Sequence, residues 1–136
     1  MSALTKDRNT VRKDGDYAAY PVKAGAKVYA GGIVCIDADG YALPGSDTAG
    51  LKFVGISRGY ADNSGGADGA LDVEVWRRGC FGLAASGIAR ANVGDGVYVV
   101  DDQTVGLAAA TANDVPCGRI SEFVSSTSVF VDIART

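Results

Sequence analysis

Leu71-Asp72-Val73-Glu74-Val75-Trp76-Arg77 alternates apolar and polar side chains. Successive side chains of an extended chain point to opposite faces. Leu71, Val73 and Val75 therefore share one face, and Asp72, Glu74 and Trp76 share the other. A period of two predicts a half-buried antiparallel strand. Val129-Phe130-Val131-Asp132-Ile133 repeats the pattern near the end of the chain, with Val129, Val131 and Ile133 on one face.

The segments between these two are short and punctuated by Gly and Asp. Val28–Ile36 is rich in β-branched residues and interrupted by Gly31-Gly32, which predicts a bend or bulge. Asp37-Ala38-Asp39-Gly40 is a turn sequence, followed by a short return strand over Tyr41-Ala42-Leu43 and a loop from Pro44 to Gly50. Phe53–Ser57 and Val97–Val100 are further apolar strand segments, and Asp62–Gly69 is a polar loop. Two stretches invite helical readings: one turn within Ala84–Asn92 capped by Ser86, and the alanine-rich Leu107–Asn113, which is too short to stand alone.

A degenerate repeat runs through the body. Gly32-Ile33-Val34-Cys35-Ile36-Asp37 matches Gly96-Val97-Tyr98-Val99-Val100-Asp101, sixty-four residues on. Val54-Gly55 matches Cys117-Gly118, sixty-three on. Asp72-Val73-Glu74-Val75 matches Ser128-Val129-Phe130-Val131, fifty-six on. The expected fold is all-β: a small β-barrel or sandwich built of two similar strand groups. A chain of 136 residues is one domain's length, and its 19 glycines are about twice the usual share, in keeping with many tight turns.

Charge is unevenly placed. Residues 1–27 hold six basic residues against three acids, a net +3; the remaining 109 hold seven against thirteen, a net −6. An acidic body argues against a broad nucleic-acid surface. Residues 1–20 read as an extended basic arm in front of a single β-barrel domain over 21–136. Lys6, Arg8, Arg12 and Lys13 are the candidate contacts to an acidic protein surface; the alternative is an ordinary frayed terminus. The N-terminus has no apolar signal core, and no stretch reaches the length of a membrane helix, so neither secretion nor membrane insertion is expected.

Catalytic signatures are sparse. With no histidine, Ser-His-Asp and Cys-His catalysis are excluded, and the commonest general base and metal ligand are missing. Cys35, Cys80 and Cys117 form no CxxC pair and are odd in number; Cys35 in its apolar run and Cys117 after Val115-Pro116 fit small hydrophobes, in keeping with a reducing compartment. Asp37-Ala38-Asp39-Gly40 lacks the further ligands of a calcium loop, and Asp37, Asp39, Asp101 and Asp102 follow strands, where Asp is a common turn former. The glycine-rich Asn63–Gly69 lacks the Gly-Lys-Ser/Thr and following helix of a phosphate cradle. No enzyme, cofactor or metal is expected. Trp76, beside Arg77 and Arg78, is an interface anchor if it faces outward and core if both sheet faces are covered. Tyr17 is a second interface candidate.

The order of segments resembles a known family. Leu4-Thr5-Lys6-Asp7-Arg8-Asn9-Thr10, Tyr20–Gly31, Phe53-Val54-Gly55-Ile56, Asp62-Asn63-Ser64-Gly65-Gly66, Val73–Gly79 and Val97–Val105 look like tailed-bacteriophage capsid decoration (cement) proteins, across nearly the whole chain. The resemblance implies a small β-barrel, made in the bacterial host cytoplasm. It would dock on the outer face of the expanded head, often as a homotrimer, formed in some cases only on the shell. The partner would be the major capsid protein, with the arm crossing onto the lattice. The rival expectation is a carbohydrate- or surface-binding barrel of a virion, with Tyr41, Tyr60 and Trp76 stacking on sugar rings.

Overall fold

Gly-bounded runs of Val, Ile and Ala become twelve short strands in the computed structural model, which describes residues 2–13 and 15–133. The first half contains β1 (Tyr17–Pro21), β2 (Lys27–Val28), β3 (Ile33–Ile36), β4 (Ala42–Pro44), β5 (Lys52–Ser57), β6 (Ala61–Asp62) and β7 (Asp72–Trp76). The second contains β8 (Cys80–Ala85), β9 (Gly96–Val99), β10 (Thr104–Gly106), β11 (Pro116–Ser125) and β12 (Ser128–Asp132). The all-β expectation holds, down to the two similar strand groups. In β7 the alternation is realised: Val73 and Val75 are buried while Asp72, Glu74 and Trp76 are exposed.

The first sheet runs β1-β7-β5-β3-β4, and the second forms a closed barrel in the order β8-β12-β11-β9-β10. The two orders are the same when β1, β3, β4, β5 and β7 are laid on β8, β9, β10, β11 and β12. The registers agree residue by residue. Tyr17 pairs with Trp76 as Cys80 pairs with Asp132; Val34 pairs with Gly55 as Val97 pairs with Gly118; Ile36 pairs with Ala42 as Val99 pairs with Val105. The halves are thus offset by 63 residues, and by 56 in the last strand of each. The shortening falls between β5 and β7. There the first half carries β6 and the Asn63–Gly69 loop, and the second has a tight β11–β12 hairpin.

Closure differs between the halves for a chemical reason. In the second, β8 and β10 pair in parallel, and the Ala84 N–H donates to the Gln103 carbonyl at 3.0 Å. Pro21 stands where the second half has Ala84, and proline has no N–H to donate. Closure of the first half is reduced to a single parallel bridge, Val22 to Ala42.

Two buried clusters follow. Val22, Val28, Val34, Ala42, Ala61, Val73 and Val75 fill the first half. The second barrel's cluster includes Leu83, Val97, Val99, Val105, Val129 and Val131, and it is joined by Ile33, Cys35, Phe53 and Ile56 from the first half. These four lie on the other face of β3 and β5, so one face of the first sheet lines its own interior while the other packs on the second barrel. Asp47 adds a polar tie, accepting the backbone N–H groups of Ala112 and Asn113 at 2.8 and 2.9 Å.

Several expectations need correction. The turn placed within Ala84–Asn92 is not helical at its start: Ala84 and Ala85 belong to β8, and Ser86 caps nothing. A 3-10 turn occupies only Arg90–Asn92, preceded by Ala89. Burial of Leu83 and Ala85 on the barrel's inner face overrides local propensity there. Leu107–Asn113 yields only a 3-10 turn at Ala108–Ala110. The boundary expected between residues 20 and 21 falls inside β1, so strand structure begins at Tyr17.

Candidate interaction surface

Residues 2–13 precede the first strand, are exposed throughout and belong to no strand or helix. One backbone hydrogen bond, from the Thr10 N–H to the Arg8 carbonyl, lies within them. Lys6 and Arg8 stand clear of the sheets, whereas Arg12 and Lys13 line a hollow along β1 together with Tyr17, Ala19 and Glu74. The structure therefore divides the four predicted arm residues into an outer and an inner pair.

Tyr17 and Trp76 come together because they are register partners across β1 and β7. Their ring centroids are 6.2 Å apart and nearly perpendicular, an edge-to-face contact. Tyr17 is 53% and Trp76 36% exposed, which puts Trp76 at the surface. The missing third member is Arg58, just past β5. Its guanidinium lies 4.3 Å from the Tyr17 ring centroid and 4.4 Å from that of Trp76, with Nη1 3.4 Å from Glu74 Oε2. Cation–π contacts at exposed sites are worth roughly 0.5–1 kcal/mol each, so both rings favour the Arg58 guanidinium between them. At the corresponding places the second half has Cys80, Ser121 and Asp132. The duplicated scaffold carries this cluster on one half only.

The sugar-stacking candidates divide differently. Tyr60 meets Tyr29 at 5.5 Å between centroids, tilted by 34°, and both rings are exposed. Tyr41 is half-buried, and among the described residues no ring contact joins it to Tyr60 or Trp76. The Asn63–Gly69 loop is stapled from within. Asn63 is buried, and its amide nitrogen lies within 3.1 Å of the carbonyl oxygens of Val22, Lys23 and Ala67.

The aspartates act in turns. Asp37 Oδ1 accepts the N–H groups of Asp39 and Tyr41, and Asp101 Oδ1 accepts that of Gln103, one duplicated turn device. Asp37 also pairs with Lys23 at 2.6 Å. That hydrogen bond, helped by the Tyr41 and Asp39 N–H groups, holds the Asp37 carboxyl below its ordinary range and raises Lys23. Among the described residues no three His, Cys, Asp or Glu side chains gather as a metal site, and no helix is long and apolar enough to cross a membrane.

Comparison with family models, with curated proteins and with solved structures gave no match.

Proposed function

We propose that this protein is a capsid decoration protein of a tailed phage or prophage, bound to the outer surface of the expanded head and stabilising it. The observation that carries the reading is the exposed segment 2–13, with Lys6, Arg8, Arg12 and Lys13, in front of a duplicated barrel whose chain is net acidic. A segment that contributes so little to the fold is available to lie on a partner. In this reading the partner is the major capsid protein, and the arm spreads over its acidic surface. The cluster of Tyr17, Arg58 and Trp76 supplies an exposed anchor of the residue types that dominate interface energetics, to be desolvated once the partner covers it. Repetition of the contact over a symmetric shell, with the protein as a homotrimer there, multiplies weak binding into avidity.

The test compares the full chain with a variant lacking residues 2–13 for binding to expanded heads stripped of decoration protein. The expected result is an unchanged thermal transition and a loss of head affinity. Equal binding by both would remove the arm from the mechanism.

A second reading, a carbohydrate-binding barrel, is favoured by one observation, the exposed Tyr29–Tyr60 pair. Quenching of tyrosine fluorescence by oligosaccharides, lost in Tyr60→Ala, supports it; no response sets it aside.

A further inference from the structure

The mouth of the first half-barrel is open and basic where that of the second is plugged and apolar. A cleft of about 360 Å³ lies between the start of β5, the ends of β3 and β7, and β1. Tyr20, Ile36 and Val54, all half-buried, form its apolar wall together with the buried Phe53 and with Ile133 from the second half; Lys52, Arg77 and Arg78 form its rim. The corresponding positions of the second half are Leu83, Val99 and Cys117 for the wall, with Val115 and Ile133 in place of Lys52 and Arg77. All five are buried. The match extends to the backbone: Arg77 N–H donates to the Asp16 carbonyl as Ile133 N–H donates to that of Gly79.

Where the second half buries aliphatic side chains, the first places cations. Among the described residues no carboxylate lines the cleft, and no ion pair engages Lys52, Arg77 or Arg78. A folded domain gains little by exposing an apolar wall ringed by cations that no described carboxylate meets. A ligand with the complementary pattern would gain from both.

We infer that this cleft binds an acidic peptide segment of a partner protein. One apolar side chain sits against Tyr20, Ile36 and Val54, and flanking carboxylates meet Lys52, Arg77 and Arg78. The chain's own basic arm has the wrong sign for this site. A nucleic acid would meet a body of net −6 around an apolar pocket. The inference deepens the decoration reading and rests on it only for the owner of the segment, the capsid protein.

The test is amide NMR of the full chain titrated with three probes: a blocked peptide Asp-Leu-Glu-Leu-Asp, its neutral counterpart Asn-Leu-Gln-Leu-Asn, and a short thymidine oligonucleotide. The expected result is salt-sensitive binding of the acidic peptide, with shifts centred on Tyr20, Val54 and Arg77. Affinity should fall at least about tenfold in the Arg77→Gln/Arg78→Gln variant, whose exposed changes spare the core. Equal binding of the neutral peptide, stronger binding of the oligonucleotide at the same residues, or no binding of the acidic peptide each overturns the inference. If the acidic peptide fails while heads are still bound, this inference falls alone. If the peptide binds its cleft while heads are not bound, the decoration reading falls alone.

Discussion

Gly55 and Gly118 do the same job in the two halves. A Cβ on Gly55 would run into the Trp76 carbonyl oxygen and lie 3.0 Å from Val75 Cγ2; a Cβ on Gly118 would run into the Asp132 carbonyl oxygen and lie 3.0 Å from Val131 Cγ1. Each glycine sits beside a bulge where its strand crosses to the partner strand, and only a residue without a side chain lets the backbones close up. Gly55→Ala and Gly118→Ala should therefore each cost at least roughly 1–3 kcal/mol in urea unfolding, because backbone rather than a flexible side chain must yield. Gly65, with nothing near its Cβ position, is the control, and its alanine variant should stay within about 0.5 kcal/mol of the parent. A tolerant Gly118 beside an intolerant Gly55 would contradict the equivalence.

Barrel closure gives a second prediction. Ala84→Pro deletes the donor to the Gln103 carbonyl and should reproduce in the second half the opening that Pro21 imposes on the first. A loss of about 1–3 kcal/mol is expected, with faster exchange of amides in β8 and β10. Unchanged protection across β10 would show that closure does not depend on this bond.

Thiol chemistry separates the cysteines. Cys35 and Cys117 are buried and Cys80 is exposed; burial pushes the Cys35 thiol up to about 12. A disulfide reagent at mildly alkaline pH should label one thiol per native chain and three after unfolding. Rapid labelling of two or more thiols in the native state would place Cys35 or Cys117 nearer the surface than described.

Three half-buried groups contribute to the pH profile. Asp37 is lowered by the Lys23 hydrogen bond and Asp47 by the Ala112 and Asn113 N–H groups, so the stability each contributes is present above the ordinary 3.8 and lost as pH falls through the lowered folded values. Lys23 is raised, so its contribution is complete below 10.5 and lost as pH rises through the raised value. Thermal melts should be flat with respect to these groups between the two limits. The double variant Asp37→Asn/Asp47→Asn should show a shallower acid limb; an unchanged acid slope would mean other carboxylates control it.

Much of this fold was legible in the sequence. The alternation in β7 and β12 marked both inner faces, and the ordered matches of Gly32–Asp37, Val54-Gly55 and Asp72–Val75 exposed the duplication. Aligning Gly32 with Gly96 set the first offset one residue too long, because the turn aspartates Asp37 and Asp101 are displaced by one relative to the paired strands. Strands β1 and β8 escaped notice since Ala18-Ala19 and Gly82–Ala85 carry little β signal. Their place is set by pairing with β7 and β12. Tyr17 stood out as an interface candidate and Trp76 stood between interface and core, but their register and the clasp by Arg58 depend on separate strands and leave no local trace. The basic cleft was hidden for a related reason: Lys52 gains meaning only when laid over Val115.

The interface cluster carries its own prediction. Trp76→Ala and Arg58→Ala remove half-exposed groups and should cost about 1 kcal/mol of stability or less, while head affinity falls about tenfold or more. Parallel loss of stability and binding would mark the cluster as structural only.

The most direct test of the decoration account is co-sedimentation of the full chain with expanded, decoration-free heads and with unexpanded proheads of the same phage. The account predicts saturable binding to expanded heads and none to proheads. Absence of binding to expanded heads at micromolar protein would contradict it.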